Sequence, residues 1–171
     1  MTMNDATSAS VFLGVPAVLT AGQQPYLTQW LEWLDSQSVN VVRLDRSSYD
    51  QDPWSKLSGL LCLADGMVLL GFKQLDVHTA TWRPGTKEEV RSAGWWTSPW
   101  LNLEAGMGIM LGLPVLVAAD EGVREGVFSP DVWGGKVHGT TIISPGRVGI
   151  EWLGLVYKHW ISRKHGQASV E

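Results

Sequence analysis

The sequence predicts an α/β fold, a parallel sheet of about five strands with helices on both faces. Three observations carry that expectation. Short apolar runs alternate with segments of helical spacing. The runs are continuously apolar rather than alternating with polar residues, as in strands buried on both faces. The composition is that of a globular chain, with 171 residues, 44% of them hydrophobic and 18% charged. Folding at this length buries roughly 70% of the surface that the unfolded chain exposes, so one core forms without disulfides or structural metal.

Each element has a local reason. Residues 1–10 are polar and lack a basic segment followed by an apolar one, so they read as a disordered leader and not a signal peptide. Val11-Phe12-Leu13-Gly14-Val15, closed by Pro16, predicts the first strand. Leu27, Trp30, Leu31 and Leu34 repeat at helical spacing, which gives a helix over Tyr26 to Ser36. Val39 to Leu44 is the second strand. Asp52-Pro53, a capping residue followed by proline, opens a second helix to Leu63, and Gly66 to Phe72 is the third strand. Residues 73–97 show no clear period and read as a long irregular insertion. Ser98-Pro99 starts a helix to Leu111, Leu113 to Ala119 is a fourth strand, and Val137 to Ile143 a fifth. Gly146 to Lys164 closes the domain as a helix. Residues 11–165 thus read as one domain, with 166–171 as a tail.

The charge balance narrows the function. Thirteen basic against seventeen acidic residues, a net charge of −4, with no basic cluster before Arg163-Lys164-His165, argues against a nucleic-acid partner. The longest uncharged stretch, Ala105 to Ala119, is too short to span a bilayer and is broken by Gly112 and Pro114. A cytoplasmic protein with a small-molecule ligand is expected. The lone Cys62 lies in an apolar run and reads as core. The four histidines have no metal-ligand spacing, and there is no phosphate-binding P-loop. Neither a metal nor a cofactor is expected.

In parallel α/β sheets, ligands bind at the carboxyl ends of the strands. Gly14 and Pro16 end the first strand, and Arg43 and Arg46 follow the second, where a guanidinium could bind a phosphate bidentately. Glu104 falls on the second turn of the helix begun at Ser98, one turn after Trp100 and on a face shared with Met107 and Leu111. A carboxylate in so apolar a setting is a candidate for chemistry. Ten tryptophans are many for this length, and Trp82, Trp95, Trp96 and Trp100 converge on this segment. Trp96 and Trp100 are candidate walls for a planar ligand, with Trp100 placed to exclude water from Glu104. Trp30, Trp33, Trp152 and Trp160, on amphipathic helices, read as packing residues.

Val11-Phe12-Leu13-Gly14-Val15-Pro16 resembles the first strand and Gly-x-Pro turn of the nucleoside 2-deoxyribosyltransferase superfamily and its nucleotide hydrolase relatives. Ser98-Pro99, Glu104, Gly106, Gly112 and Pro114-Val115-Leu116-Val117 are similar in spacing to the segment that supplies the catalytic glutamate of those enzymes. Ser98-Pro99-Trp100-Leu101-Asn102-Leu103-Glu104 also resembles the Ser-x-Trp-x-x-x-Glu signature of TIR domains, whose glutamate cleaves NAD. These resemblances cover roughly residues 11–120. They imply a flavodoxin-like (Rossmann-like) sheet, a homo-oligomer, and cleavage of an N-glycosidic bond with Glu104 as the catalytic carboxylate. The substrate would be a nucleoside, nucleotide or NAD, and Asp65, before the third strand, would contact base or sugar. The transferases carry an aspartate six residues before the glutamate, where this chain has Ser98, so hydrolysis is favoured over base transfer. A TIR-like NAD hydrolase in immune signalling and a non-catalytic nucleotide-sensing module are the alternative readings. Arg83 to Glu89 is similar in part to the glycine-rich motif of the lysine decarboxylase-like phosphoribohydrolases, but it lacks two of the glycines and reads as a turn into a short helix.

Overall fold

A computed structural model describes residues 8–44 and 52–168. In chain order these form β1 (Ser10–Gly14), α1 (Gln24–Ser36), β2 (Asn40–Val42), α2 (Pro53–Leu63) and β3 (Gly66–Gly71). There follow β4 (Leu75–Trp82), β5 (Val90–Trp96), α3 (Pro99–Met110), β6 (Val115–Ala119), β7 (Val137–Thr141) and α4 (Gly146–Ala168). Two short 3-10 turns, Gly126–Phe128 and Pro130–Val132, precede β7.

Five strands form one sheet in the order β2-β1-β3-β6-β7, every neighbouring pair parallel. This is the flavodoxin-like order, in which the chain steps one way from β1 to β2 and then the other way through β3, β6 and β7. The direction of winding changes between β1 and β3, which leaves a crevice above their carboxyl ends.

Within each apolar strand, successive side chains still go to opposite faces. Val11, Leu13, Val68, Leu70, Leu116 and Ala118 pack beneath α1 and α4, against Trp30, Leu34, Trp152 and Val156. Phe12, Met67, Leu69, Val115 and Val117 pack beneath α2 and α3, against Leu57, Leu61, Leu101 and Ala105. The two largest core side chains also satisfy their indole N–H groups: Trp30 Nε1 donates to the Ile142 carbonyl at 2.8 Å and Trp152 Nε1 to the Pro114 carbonyl at 3.0 Å.

Three expectations are corrected. Residues 73–97 are not irregular: β4 and β5 pair as an antiparallel ribbon from Leu75↔Trp96 to Trp82↔Val90. Both faces of the ribbon are largely exposed, so the sequence carries no inside/outside alternation to reveal it. The register shifts between Val77 and Ala80, and Trp82 near the tip stacks on Trp96 at the base, centroids 6.0 Å apart. A straight ribbon would hold those rings much further apart, so the bulge bends it back on itself. Second, Arg83 to Glu89 form the turn between β4 and β5, not a helix, held by the Arg83–Glu88 ion pair and the Thr86 hydroxyl on the Arg83 carbonyl. Third, Cys62 is exposed. Leu57 and Leu61 take the inward positions of α2, and Cys62 lies about a quarter-turn past them.

Candidate active site

β1 ends at Gly14 and turns at Pro16, while α3 descends beside it from the same edge of the sheet. Glu104 lies on the inner face of α3 with Leu101, Ala105 and Gly108, and is only 1% exposed. Its Oε2 occupies the space where a side chain on residue 14 would stand, with Leu69 Cδ2 on the other side of that space. Gly14 is therefore required by close approach: any larger residue ending β1 would push the carboxylate out.

Above this contact opens a cleft of about 380 Å³, lined by Phe12, Leu13, Gly14, Val15, Pro16, Ala17, Arg43, Leu44 and Glu104. It sits over the reversal between β1 and β3, where the topology predicts a ligand. Arg43 extends from the end of β2 and is exposed, the one cationic side chain among the described lining residues. Glu104 and Arg43 thus set a carboxylate against the floor of the cleft and a guanidinium at its rim. A ligand with a positively charged or electron-poor centre at one end and an anionic group at the other matches that polarity.

Gly14, Pro16 and Arg43, at the carboxyl ends of β1 and β2, and Glu104 from α3 are brought together around this cleft. Asp65 is not. It precedes β3 and so sits at the amino edge of the sheet, the opposite edge from the cleft. There its Oδ2 accepts from the Ser10 N–H at 2.9 Å, and Arg163 Nη2 from α4 lies 2.9–3.0 Å from its two oxygens. Burial pushes the Asp65 carboxyl above its ordinary value, against the opposing pull of the Ser10 N–H and of Arg163, His159 and Lys164. Trp96 and Trp100 do not line the cleft: Trp96 is stacked on Trp82, and Trp100 packs against Trp54 with the ring planes tilted by 36° and centroids 4.9 Å apart. Ser98 takes the cap position of α3, but its side chain makes no capping bond and does not line the cleft. Arg46 lies outside the described residues.

Two residues that position α3 had no sequence signal. Glu125, from the segment after β6, accepts the Thr97 N–H at 3.0 Å, and Asn102 Oδ1 accepts the Val127 N–H at 2.8 Å. Gly126, at φ +57°, lets the chain lie against the Asn102 carboxamide, which a β-carbon would strike. Burial raises the Glu125 carboxyl above its ordinary value, with the Thr97 N–H pulling the other way. These contacts join residues 25 and 28 positions apart, so no local pattern announces them. Among the described residues, no group of three or more His, Cys, Asp or Glu side chains is placed to hold a metal ion. No helix among them is long and apolar enough to cross a membrane.

The fold and cleft define a flavodoxin-like α/β protein with a carboxylate at its switch point. No family model matches the chain. No match is found among curated proteins. Among solved structures the chain is similar to a CMP N-glycosidase of Clostridium botulinum, BcmB, at 14% identity and a TM-score of 0.45, over 85% of this chain and 96% of that one.

Proposed function

We propose that the protein hydrolyses the N-glycosidic bond of a nucleoside or nucleotide, with Glu104 as the catalytic carboxylate. The observation that carries this reading is the buried Glu104 carboxyl against Gly14, on the floor of a cleft at the switch point. As the C1′–N bond lengthens, its electron pair leaves with the base and positive charge develops on the sugar. A carboxylate held against C1′ stabilises that charge or captures it as a glycosyl ester. Water then supplies the new C1′ oxygen, and its proton goes to the departing base. Burial strengthens the electrostatic part, because a fixed carboxylate in a site that excludes water acts through a low effective dielectric. Arg43 is proposed to hold a phosphate at the rim, which makes nucleotides better substrates than nucleosides.

The test is chromatographic detection of free base from a panel of nucleosides, nucleoside 5′-monophosphates and NAD. Release by the wild-type protein should fall at least a hundredfold in Glu104→Gln, which keeps the shape of the side chain and loses its charge. Base released equally by both proteins would overturn the assignment. Nicotinamide release from NAD alone would transfer the reading to an NAD hydrolase.

A further inference from the structure

The switch point has two sides, and the cleft uses one of them. Its described lining residues come from β1, β2, the turns that follow them and α3, and stop short of the chain that leaves β3. One side chain spans that boundary. Gln23, the residue before α1, donates from Nε2 to the Lys73 carbonyl at 3.0 Å and accepts the Thr20 N–H on Oε1 at 3.0 Å. The first bond crosses from the β1–α1 loop to the second residue past β3. The second reinforces a turn in which the Gln23 and Gln24 N–H groups donate to the Thr20 carbonyl. Lys73 is itself drawn toward β6, its N–H lying 3.5 Å from Asp120 Oδ2. Both ends of one carboxamide are thus engaged, and they hold the loop that carries Val15, Pro16 and Ala17, a wall of the cleft, against the exit of β3.

If the cleft holds a nucleotide, as proposed above, this boundary is the one the base meets. A 5′-nucleotide carries its base and its phosphate at opposite ends of the sugar. With C1′ over Glu104 and the phosphate on Arg43 at the end of β2, the base extends the other way, past β1 toward β3. The strand order β2-β1-β3 gives that path a length. Neighbouring strands lie about 4.8 Å apart, so the ends of β2 and β3 are about 10 Å apart. We infer that the Gln23–Lys73 tie closes the base end of the cleft and sets how large a base it admits. The tie suits a size limit because it joins the exits of two strands that pair directly in the sheet, so the wall cannot widen while the bond stands. Gln23 is therefore a positioning residue that acts through the loop it holds, and it takes no part in bond cleavage.

Steady-state base release from pyrimidine and purine nucleoside 5′-monophosphates tests this in wild type, Gln23→Ala and Gln23→Glu. Gln23→Ala removes both side-chain bonds, and the Lys73 carbonyl keeps Gln74 Nε2 as a donor at 3.1 Å, so the fold is retained. Gln23→Glu keeps an acceptor for the Thr20 N–H and loses the donor to Lys73. In both variants the ratio of kcat/KM for purine over pyrimidine nucleotides should rise about tenfold, through KM rather than kcat. A structural role alone would scale all substrates together, so an unchanged ratio overturns the inference, as does a Gln23→Glu protein with the wild-type ratio. Hydrogen exchange needs no substrate. The Thr20 amide should exchange about fivefold faster in Gln23→Ala and at the wild-type rate in Gln23→Glu; unchanged exchange in Gln23→Ala overturns the tie itself. A wild-type protein that releases no base from any nucleotide, with that exchange pattern intact, would overturn the nucleotide reading and the size limit with it, and leave the tie standing.

Discussion

At residue 14, geometry and chemistry meet in one missing β-carbon. Gly14→Ala would set a methyl group where Glu104 Oε2 now lies, with Leu69 unable to retreat far into a packed core. The expected result is a folded protein that has lost about 1–3 kcal/mol of stability from overpacking, with base release reduced at least tenfold because the carboxylate has moved. Thermal denaturation and the base-release assay read the two effects separately. Trp30→Ala should do the reverse. Trp30 is fully buried and its N–H is bonded, so truncation costs about 3–5 kcal/mol, with any activity per folded molecule retained. The cleft residues Gly14, Pro16, Arg43 and Glu104 were legible because strand ends and helix spacing are local patterns. The same rule argued against Asp65, which stands before a strand rather than after it; the family resemblance alone had brought it in. Trp96 and Trp100 lie away from the cleft for another reason: a sequence shows a ring that can stack on a ligand, not the neighbouring ring, Trp82 or Trp54, that it packs against.

Among the elements, α4 is tied at its far end to the amino edge of the sheet through Arg163, which meets Asp65 and also donates to the Leu63 carbonyl at 3.0 Å. Because burial raises the Asp65 carboxyl, the folded protein takes up that proton more readily than the unfolded chain does. Its contribution to stability is full below the ordinary carboxyl value of 3.8 and is lost as pH rises through the higher folded value. Asp65→Asn keeps an acceptor for the Ser10 N–H and does not titrate. Its melting temperature relative to wild type should therefore rise with pH across the acid range; an Asn variant that loses ground as pH rises would show that Arg163 outweighs burial. The five sheet strands and four helices were readable because each carries its own period and stop signals. The β4–β5 ribbon was not, since it is held by stacked rings, a bulge and the Trp95↔Val123 bridge rather than by a buried face.

Taken as a whole, the molecule separates its tasks by face and by edge. The α1/α4 side is charged and solvated, the amino edge of the sheet is locked by Asp65 and Arg163, and the carboxyl edge opens the cleft. The parallel sheet with helices on both faces followed from sequence because continuously apolar runs alternate with helical segments; the pairing of Glu125 with Thr97 did not, because nothing local encodes it. If the cleft is a nucleotide site, ligand binding must stabilise the whole fold. A ligand present at a hundred times its dissociation constant adds about 2.7 kcal/mol, which for a chain of this size raises the melting temperature by about 5 to 11 °C. With Glu104→Gln to prevent turnover, a nucleoside 5′-monophosphate from the panel should produce such a shift and the matching nucleoside a smaller one. Arg43→Ala should remove the difference between the two, because only the phosphate meets the guanidinium at the rim. Equal shifts for both ligands, unchanged by Arg43→Ala, would take the phosphate away from Arg43 while leaving the base and sugar over Gly14 and Glu104.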